Sequence, residues 1–286
     1  MAMTPKKRPR RIAPERPLKV AVAGALGRMG RAVLSAASLD AALSVVAGWE
    51  RPGNPDLGRD LGASAGLPDL GVPLDAEPHV EGVDLIIDFT SPESTLAILA
   101  AVARSGRKPA LVIGTTGFEP AQLAKVRAAA KKLRIVLSSN FSVGMNLMWK
   151  ALDTVARVTG DDYDVEVIEA HHHHKKDSPS GTAMTTAEVL ARALDRDLAS
   201  WARYGRPRGN VGARDPREIG LHTVRAGDIV GDHTVLFAGG GERLEFKHQA
   251  HSRENFARGA LRAGRWLAEK GRKPGLYTMA QVLGFG

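Results

Sequence analysis

The sequence predicts an α/β protein in two parts: a Rossmann-type parallel-sheet domain, then a second α+β domain with a mixed or antiparallel sheet. Three observations carry this. The apolar run Lys19-Val-Ala-Val-Ala23 passes directly into a glycine turn and a helix. From there to residue 139, near-continuous apolar runs alternate with helical periodicity, the pattern of parallel strands covered on both faces. After Asn140 the order becomes helix, strand, helix and then several short strands in succession.

The first strand spans 19–24, and the helix after it runs to residue 39 through Ala32, Val33, Ala36 and Leu39. Between them lies Gly24-Ala-Leu-Gly-Arg-Met-Gly30, whose glycines permit a tight turn and close approach to a pyrophosphate held by the helix amides. Leu26 stands where the usual dinucleotide fingerprint has its second glycine, so an ordinary βα turn stays open at this point. The strand Leu43-Ser-Val-Val-Ala-Gly-Trp-Glu50 ends in an acid placed to accept from ribose hydroxyls, and Arg51 follows as a partner for a 2′-phosphate. NADH and NADPH are both accommodated.

A Gly/Pro-rich stretch covers 52–78, followed by the strand Asp84-Leu-Ile-Ile-Asp-Phe89, a helix over 92–104 and the strand Ala110-Leu-Val-Ile-Gly114. A helix over 120–132 leads to Arg134-Ile-Val-Leu-Ser-Ser139. The turns Thr90-Ser-Pro-Glu93 and Gly114-Thr-Thr-Gly117 lie at carboxyl ends of strands, where open sheets bind ligands, though Ser91 or Thr116 could equally cap a helix there. Then come a helix over 143–158, the strand Tyr163-Asp-Val-Glu-Val-Ile-Glu169, a helix over 182–194, and a loop over 202–216. Strands follow at 219–226, 231–238 and 242–250, the last two a hairpin about Gly239-Gly-Gly241, and a helix over 253–269 closes the chain.

A length of 286 residues fits two domains of about 100 to 200 residues, and 43% hydrophobic residues supply their cores. No apolar run approaches the roughly 18 residues of a membrane helix and no secretory leader is visible, so a cytoplasmic location is expected, with no membrane partner. The absence of cysteine excludes disulfides and thiolate chemistry. A formal charge of +9 suggests nucleic acid, but Lys6, Lys7, Arg8, Arg10, Arg11 and Arg16 stand in the first 17 residues against Glu15 alone. That Pro- and Arg-rich leader, 1–17, is expected to be a disordered tail or the product of an upstream start codon, and no nucleic-acid partner is expected.

The segment Glu169-Ala-His-His-His-His-Lys-Lys-Asp-Ser-Pro-Ser-Gly-Thr182 is the richest in chemistry. An imidazole can donate a proton near neutral pH and a lysine can neutralise a carboxylate. Ser180-Gly181-Thr182 opens a helix, whose free amides and the Thr182 hydroxyl form an anion cradle, so a substrate carboxylate can bridge Lys175 and this helix start. Adjacent histidines of an extended segment point to opposite faces and seldom chelate one ion, so no metal is assigned, although the run alone also permits a metal site or a solvated surface.

Several motifs resemble the 4-hydroxy-tetrahydrodipicolinate reductase (dihydrodipicolinate reductase) family of bacterial lysine and diaminopimelate biosynthesis. They are Val22-Ala-Gly-Ala-Leu-Gly-Arg-Met-Gly30, Gly114-Thr-Thr-Gly117, Asn140-Phe-Ser-Val-Gly144, Glu169-Ala-His-His172, Lys175 with Asp177-Ser-Pro-Ser-Gly-Thr-Ala183, and Thr223-Val-Arg-Ala-Gly-Asp-Ile-Val-Gly231. The resemblance implies reduction of a small dicarboxylate with loss of water, using NADH or NADPH. His171 is then the proton donor and Lys175 its cationic partner, with His172, Gly181 and Thr182 on substrate carboxylates. Cofactor contacts fall on Gly24, Ala25, Leu26, Gly27, Arg28, Met29, Glu50, Arg51, Gly114, Thr115, Thr116, Ser139, Asn140 and Phe141. His173 stands where the family has a basic residue such as Arg, and Lys176 where a small apolar one is common. The resemblance further implies a dinucleotide domain of 18–141 plus 253–286, a substrate and oligomerisation domain of 142–252, domain closure over the cofactor, and a homotetramer. A non-catalytic NAD(P)-sensing regulator of the same fold and a histidine-rich metal hydrolase are the competing readings.

Overall fold

The computed structural model describes residues 16–285, so the basic leader lies outside the described residues except for Arg16 and Pro17. In chain order the first half contains β1 (Leu18–Ala23), α1 (Arg28–Ser38), β2 (Leu43–Trp49), α2 (Leu61–Ala65), β3 (Leu74–Asp75), β4 (Leu85–Asp88), α3 (Pro92–Ser105), β5 (Ala110–Ile113), α4 (Pro120–Ala130) and β6 (Arg134–Leu137). The second half contains α5 (Val143–Thr159), β7 (Asp164–His171), α6 (Gly181–Ala193), α7 (Leu198–Trp201), β8 (Ala202–Tyr204), β9 (Ile219–Arg225), β10 (Asp232–Ala238), β11 (Arg243–Gln249), α8 (Glu254–Ala268), β12 (Gly275–Tyr277) and α9 (Met279–Leu283).

Strands β12-β6-β5-β4-β1-β2-β3 form one sheet in that order, parallel throughout. Its apolar runs serve both faces. Val20, Val22, Leu85, Ile87, Val112 and Val136 pack with α1 and α8, while Ala21, Ile86, Leu111, Ile113 and Ile135 pack with α3 and α4. Glycines let α8 approach closely: a β-carbon on Gly264 would lie 2.2 Å from Leu85 Cδ2, and one on Gly259 would lie 1.9 Å from the Phe141 carbonyl oxygen.

The second sheet, β11-β10-β7-β9-β8, is mixed: β7 pairs antiparallel with β10 and parallel with β9. Along β7, buried Val165, Val167, Glu169 and His171 alternate with half-buried residues. This period of two turns Val165 and Val167 toward α5 and α6, and it puts Glu169 and His171 on the same face.

Three regions depart from the sequence reading. The 52–78 stretch contains α2 and β3, because Asp60 caps α2 by accepting from Ala63 N at 3.0 Å and also gathers the amides of Leu70 and Val72. Residues 202–204, expected in a loop, form β8 as an edge strand parallel to β9. The chain does not close on α8: Gly275–Tyr277 extends the parallel sheet beside β6, and Thr278 starts α9 with a capping box. Each of these elements is too short for periodicity to reveal it.

Candidate active site

Strand order reverses between β1 and β4, so a crevice opens at their carboxyl ends. Gly24 leaves β1 at φ +61°, and Gly27 N donates to its carbonyl at 3.0 Å. A β-carbon on Gly24 would lie 2.8 Å from Thr90 Cγ2, and one on Gly30 would lie 2.1 Å from the Gly24 carbonyl oxygen. Gly27 caps α1 with no side chain, so the first-turn amides of Arg28, Met29 and Gly30 face an open approach. Leu26 takes the place of a glycine because its side chain packs against the core while its amide donates to Glu50 Oε1 at 3.0 Å. Glu50 therefore braces the turn, and Arg51 beside it is exposed. These groups fit the diphosphate and ribose of a dinucleotide.

The other proposed cofactor residues divide by role. Thr115 turns its hydroxyl inward to Asp88, Thr90 and Thr95, so its side chain is structural. Phe141 is buried edge-on to Phe89. Ser139 meets Thr185 Oγ1 at 2.8 Å, and Asn140 Nδ2 donates to Thr182 Oγ1 at 3.1 Å, so both tie the end of β6 to α6. The Thr182 hydroxyl is thus engaged in a structural link.

His171 ends β7 in a built environment. Its Nδ1 lies 2.5 Å from Glu169 Oε2. Arg225 clasps both Glu169 oxygens at 2.9 Å, while Ser180 N donates at 3.0 Å and Thr223 Oγ1 at 3.2 Å. Burial alone raises the Glu169 carboxyl, but the bonds from His171 and Arg225 outweigh it and hold the pKa at about 2. On the far side of the ring, a β-carbon on Gly231 would lie 3.0 Å from His171 Nε2. The His233 ring stands edge-on at 5.2 Å; burial, reinforced by His171, pushes its pKa down to about 3, so it stays neutral.

His172 Nε2 accepts from Arg28 Nη1 at 2.9 Å, joining the histidine segment to the glycine turn. Burial and then Arg28 push its pKa down, which makes it the neutral acceptor with Nδ1 left as a buried donor lacking a partner. Lys175 pairs with Asp177 at 2.9 Å. A cleft of about 730 Å³ between the carboxyl ends of β5 and β6 and the helices α5, α6 and α9 is lined by Thr115, Thr116, Ser139 and Gly181, but His171, His172 and Lys175 do not line it. Among the described residues, no three His, Asp or Glu converge as metal ligands.

Sequence reasoning left Glu169, Arg225, Gly231 and His233 without roles. Glu169 was legible, since residues two apart on a strand share a face. Arg225 was not, because its place beside His171 depends on the parallel β7–β9 register.

A doubly wound sheet whose glycine turn meets His172, the neighbour of the carboxylate-held His171 at the end of β7, has the parts of a nicotinamide-dependent oxidoreductase. Two family models, described as dihydrodipicolinate reductase N-terminus and C-terminus, match residues 18–141 and 144–283. The chain belongs to the dihydrodipicolinate reductase family. It is 50% identical over 268 residues to a 4-hydroxy-tetrahydrodipicolinate reductase of Thiobacillus denitrificans, covering 93% of this chain and 98% of that one. A reductase of the same name from Pseudomonas fluorescens is 51% identical over 269 residues, with the same coverage. A dipicolinate-bound dihydrodipicolinate reductase from Paenisporosarcina sp. TG-14 superposes with a TM-score of 0.67 at 27% identity, covering 93% of this chain and 98% of that one.

Proposed function

We infer that the chain reduces 4-hydroxy-tetrahydrodipicolinate to tetrahydrodipicolinate, with loss of water, using NADH or NADPH in lysine and diaminopimelate biosynthesis. The observation that carries the chemistry is the Glu169–His171 pair, seated one residue from the histidine that touches the glycine turn. Gly24 to Met29 would hold the diphosphate, Glu50 and Arg51 the adenosine ribose, and Gly114 to Thr116 with Ser139 to Phe141 the nicotinamide end. The bound reduced nicotinamide supplies the hydride.

Glu169 accepts the Nδ1 proton of His171, which fixes the tautomer and directs Nε2 toward the substrate. In its imidazolium form His171 delivers the Nε2 proton as negative charge develops on the substrate being reduced, and is left as the neutral Nδ1–H tautomer that Glu169 holds. Lys175 exchanges Asp177 for a substrate carboxylate and stabilises the same charge. His172 and the backbone of Gly181 and Thr182 take the remaining carboxylate oxygens. Thr182 Oγ1 accepts from Asn140, which leaves its own proton free to donate alongside the amide.

Residues 18–141 with the C-terminal segment from 253 form the dinucleotide domain on this reading, and 142–252 the substrate domain. A cytoplasmic homotetramer is part of the same proposal. Among the described residues no helix is long and apolar enough to cross a membrane. The test is to generate 4-hydroxy-tetrahydrodipicolinate in situ and follow oxidation of NADH and NADPH. Turnover with at least one is expected; a folded, dinucleotide-binding chain that oxidises neither is a sensor instead.

A further inference from the structure

Asp88, at the carboxyl end of the central strand β4, is 1% exposed, and nothing in the reaction described above uses it. Its Oδ1 accepts from Thr90 N at 3.0 Å, Thr90 Oγ1 at 2.6 Å and Thr115 Oγ1 at 3.4 Å, and its Oδ2 accepts from Thr95 Oγ1 at 2.5 Å. Thr115 Oγ1 in turn accepts from Thr90 N and Thr95 Oγ1, each at 3.1 Å. One carboxylate thus gathers the end of β4, the first turns of α3 and the loop after β5. All its donors are uncharged, and burial pushes the carboxyl above its usual range despite them. A core needs no such group for packing, since an apolar residue of similar volume avoids the desolvation cost.

The residues that Asp88 fixes lie on either side of it against the two glycine loops. Thr90 Cγ2 fills the space where Gly24 would carry a β-carbon, 2.8 Å away. The Phe89 ring fills the corresponding space at Gly114, 2.1 Å from where its β-carbon would be, and meets Phe141 at 5.5 Å between ring centres. The rotation of residues 89 and 90 therefore sets the floor of the Gly24 turn and the spacing to the Gly114 loop.

We infer that Asp88 is a positioning residue of the dinucleotide site, acting through Thr90 on the Gly24–Gly30 turn and through Phe89 and Thr115 on the Gly114–Gly117 loop. The inference rests on the nicotinamide-binding reading above. Asp88→Asn keeps the shape but replaces one acceptor by an NH2, which at the Oδ1 place opposes the Thr90 amide, a donor only, and at the Oδ2 place forces the Thr95 hydroxyl from donor to acceptor.

The test is titration of the full chain with NADH and NADPH by fluorescence, with steady-state kinetics on the same preparations. Asp88→Asn should raise the dinucleotide Kd and KM about tenfold and Thr95→Val about threefold, with kcat at saturating dinucleotide within about twofold of the parent. Thr95→Ser, which keeps the hydroxyl, should bind as the parent does. A purely structural role predicts lower melting temperatures with unchanged Kd per folded molecule, and that result overturns the inference. If Asp88→Asn does not fold, the Thr95→Val and Thr95→Ser pair decides by the same criterion. Failure of the parent chain to bind either dinucleotide removes both this inference and the reading beneath it.

Discussion

Glu169 Oε2 stands 2.5 Å from His171 Nδ1, and both side chains project from the same face of β7. The carboxylate is kept anionic by Arg225, so it orients the imidazole without competing for its proton. Glu169→Gln should therefore lower kcat about 10²-fold with dinucleotide affinity unchanged, because the tautomer is lost while the cofactor groove is untouched. Parallel kinetics and fluorescence titration check this; equal loss of cofactor binding argues against it.

Gly231 makes room for the same imidazole. Its β-carbon in Gly231→Ala would come within 3.0 Å of His171 Nε2, on the side offered to substrate. The expected outcome is a fall in kcat of about tenfold with little change in melting temperature, since a misplacement near 1 Å is costly to catalysis. Unimpaired turnover would show that Nε2 is not the working nitrogen.

Acid should destabilise the fold in two stages. His233 has a folded pKa of about 3 against an unfolded value of 6.5, so the unfolded chain takes up its proton first. Stability is thus full above pH 6.5 and falls by roughly 2 kcal/mol by pH 5, at about 1.4 kcal/mol per unit. His172 and His248, both lowered chiefly by burial, act in the same direction. Glu169, depressed from 4.5 to about 2, adds a second loss as the pH falls from 4.5 through 2. Melting curves from pH 7.5 to 5 should be visibly flatter for His233→Gln than for the parent; an equal slope removes His233 from the account.

The glycine turn offers no space at Gly30. Its β-carbon would lie 2.1 Å from the Gly24 carbonyl oxygen and 2.6 Å from that of Ala25. Gly30→Ala should lower the melting temperature by roughly 5 °C and weaken dinucleotide binding, whereas Gly53→Ala, at an exposed position with nothing within 4 Å, tests only the strain of a positive φ. Equal effects on binding would separate the turn from the cofactor site.

The long elements of both sheets were legible because each apolar run is bounded by glycine, proline or a capping residue, as Ser91 and Ser142 show at α3 and α5. Short pieces were not: α2, β3, β8 and β12 depend on Asp60 and on partner strands distant in sequence. At the candidate site, the histidine segment and glycine turn stood out by composition. Their contact through Arg28 and His172, and the gathering of Glu169, Thr223, Arg225 and His233 around His171, depend on strand register and on contacts between residues distant in sequence. Lys175 illustrates the limit of residue type: its pairing with Asp177 depends on the fold of the loop after β7.

The most direct test of the central claim is a pH–rate profile of kcat/KM for 4-hydroxy-tetrahydrodipicolinate, with NADH and NADPH, for the parent and His171→Gln. The parent should turn over with at least one dinucleotide, and the variant should be at least about 10²-fold slower across the profile. A His171→Gln protein that turns over at the parent rate with the same profile would contradict it.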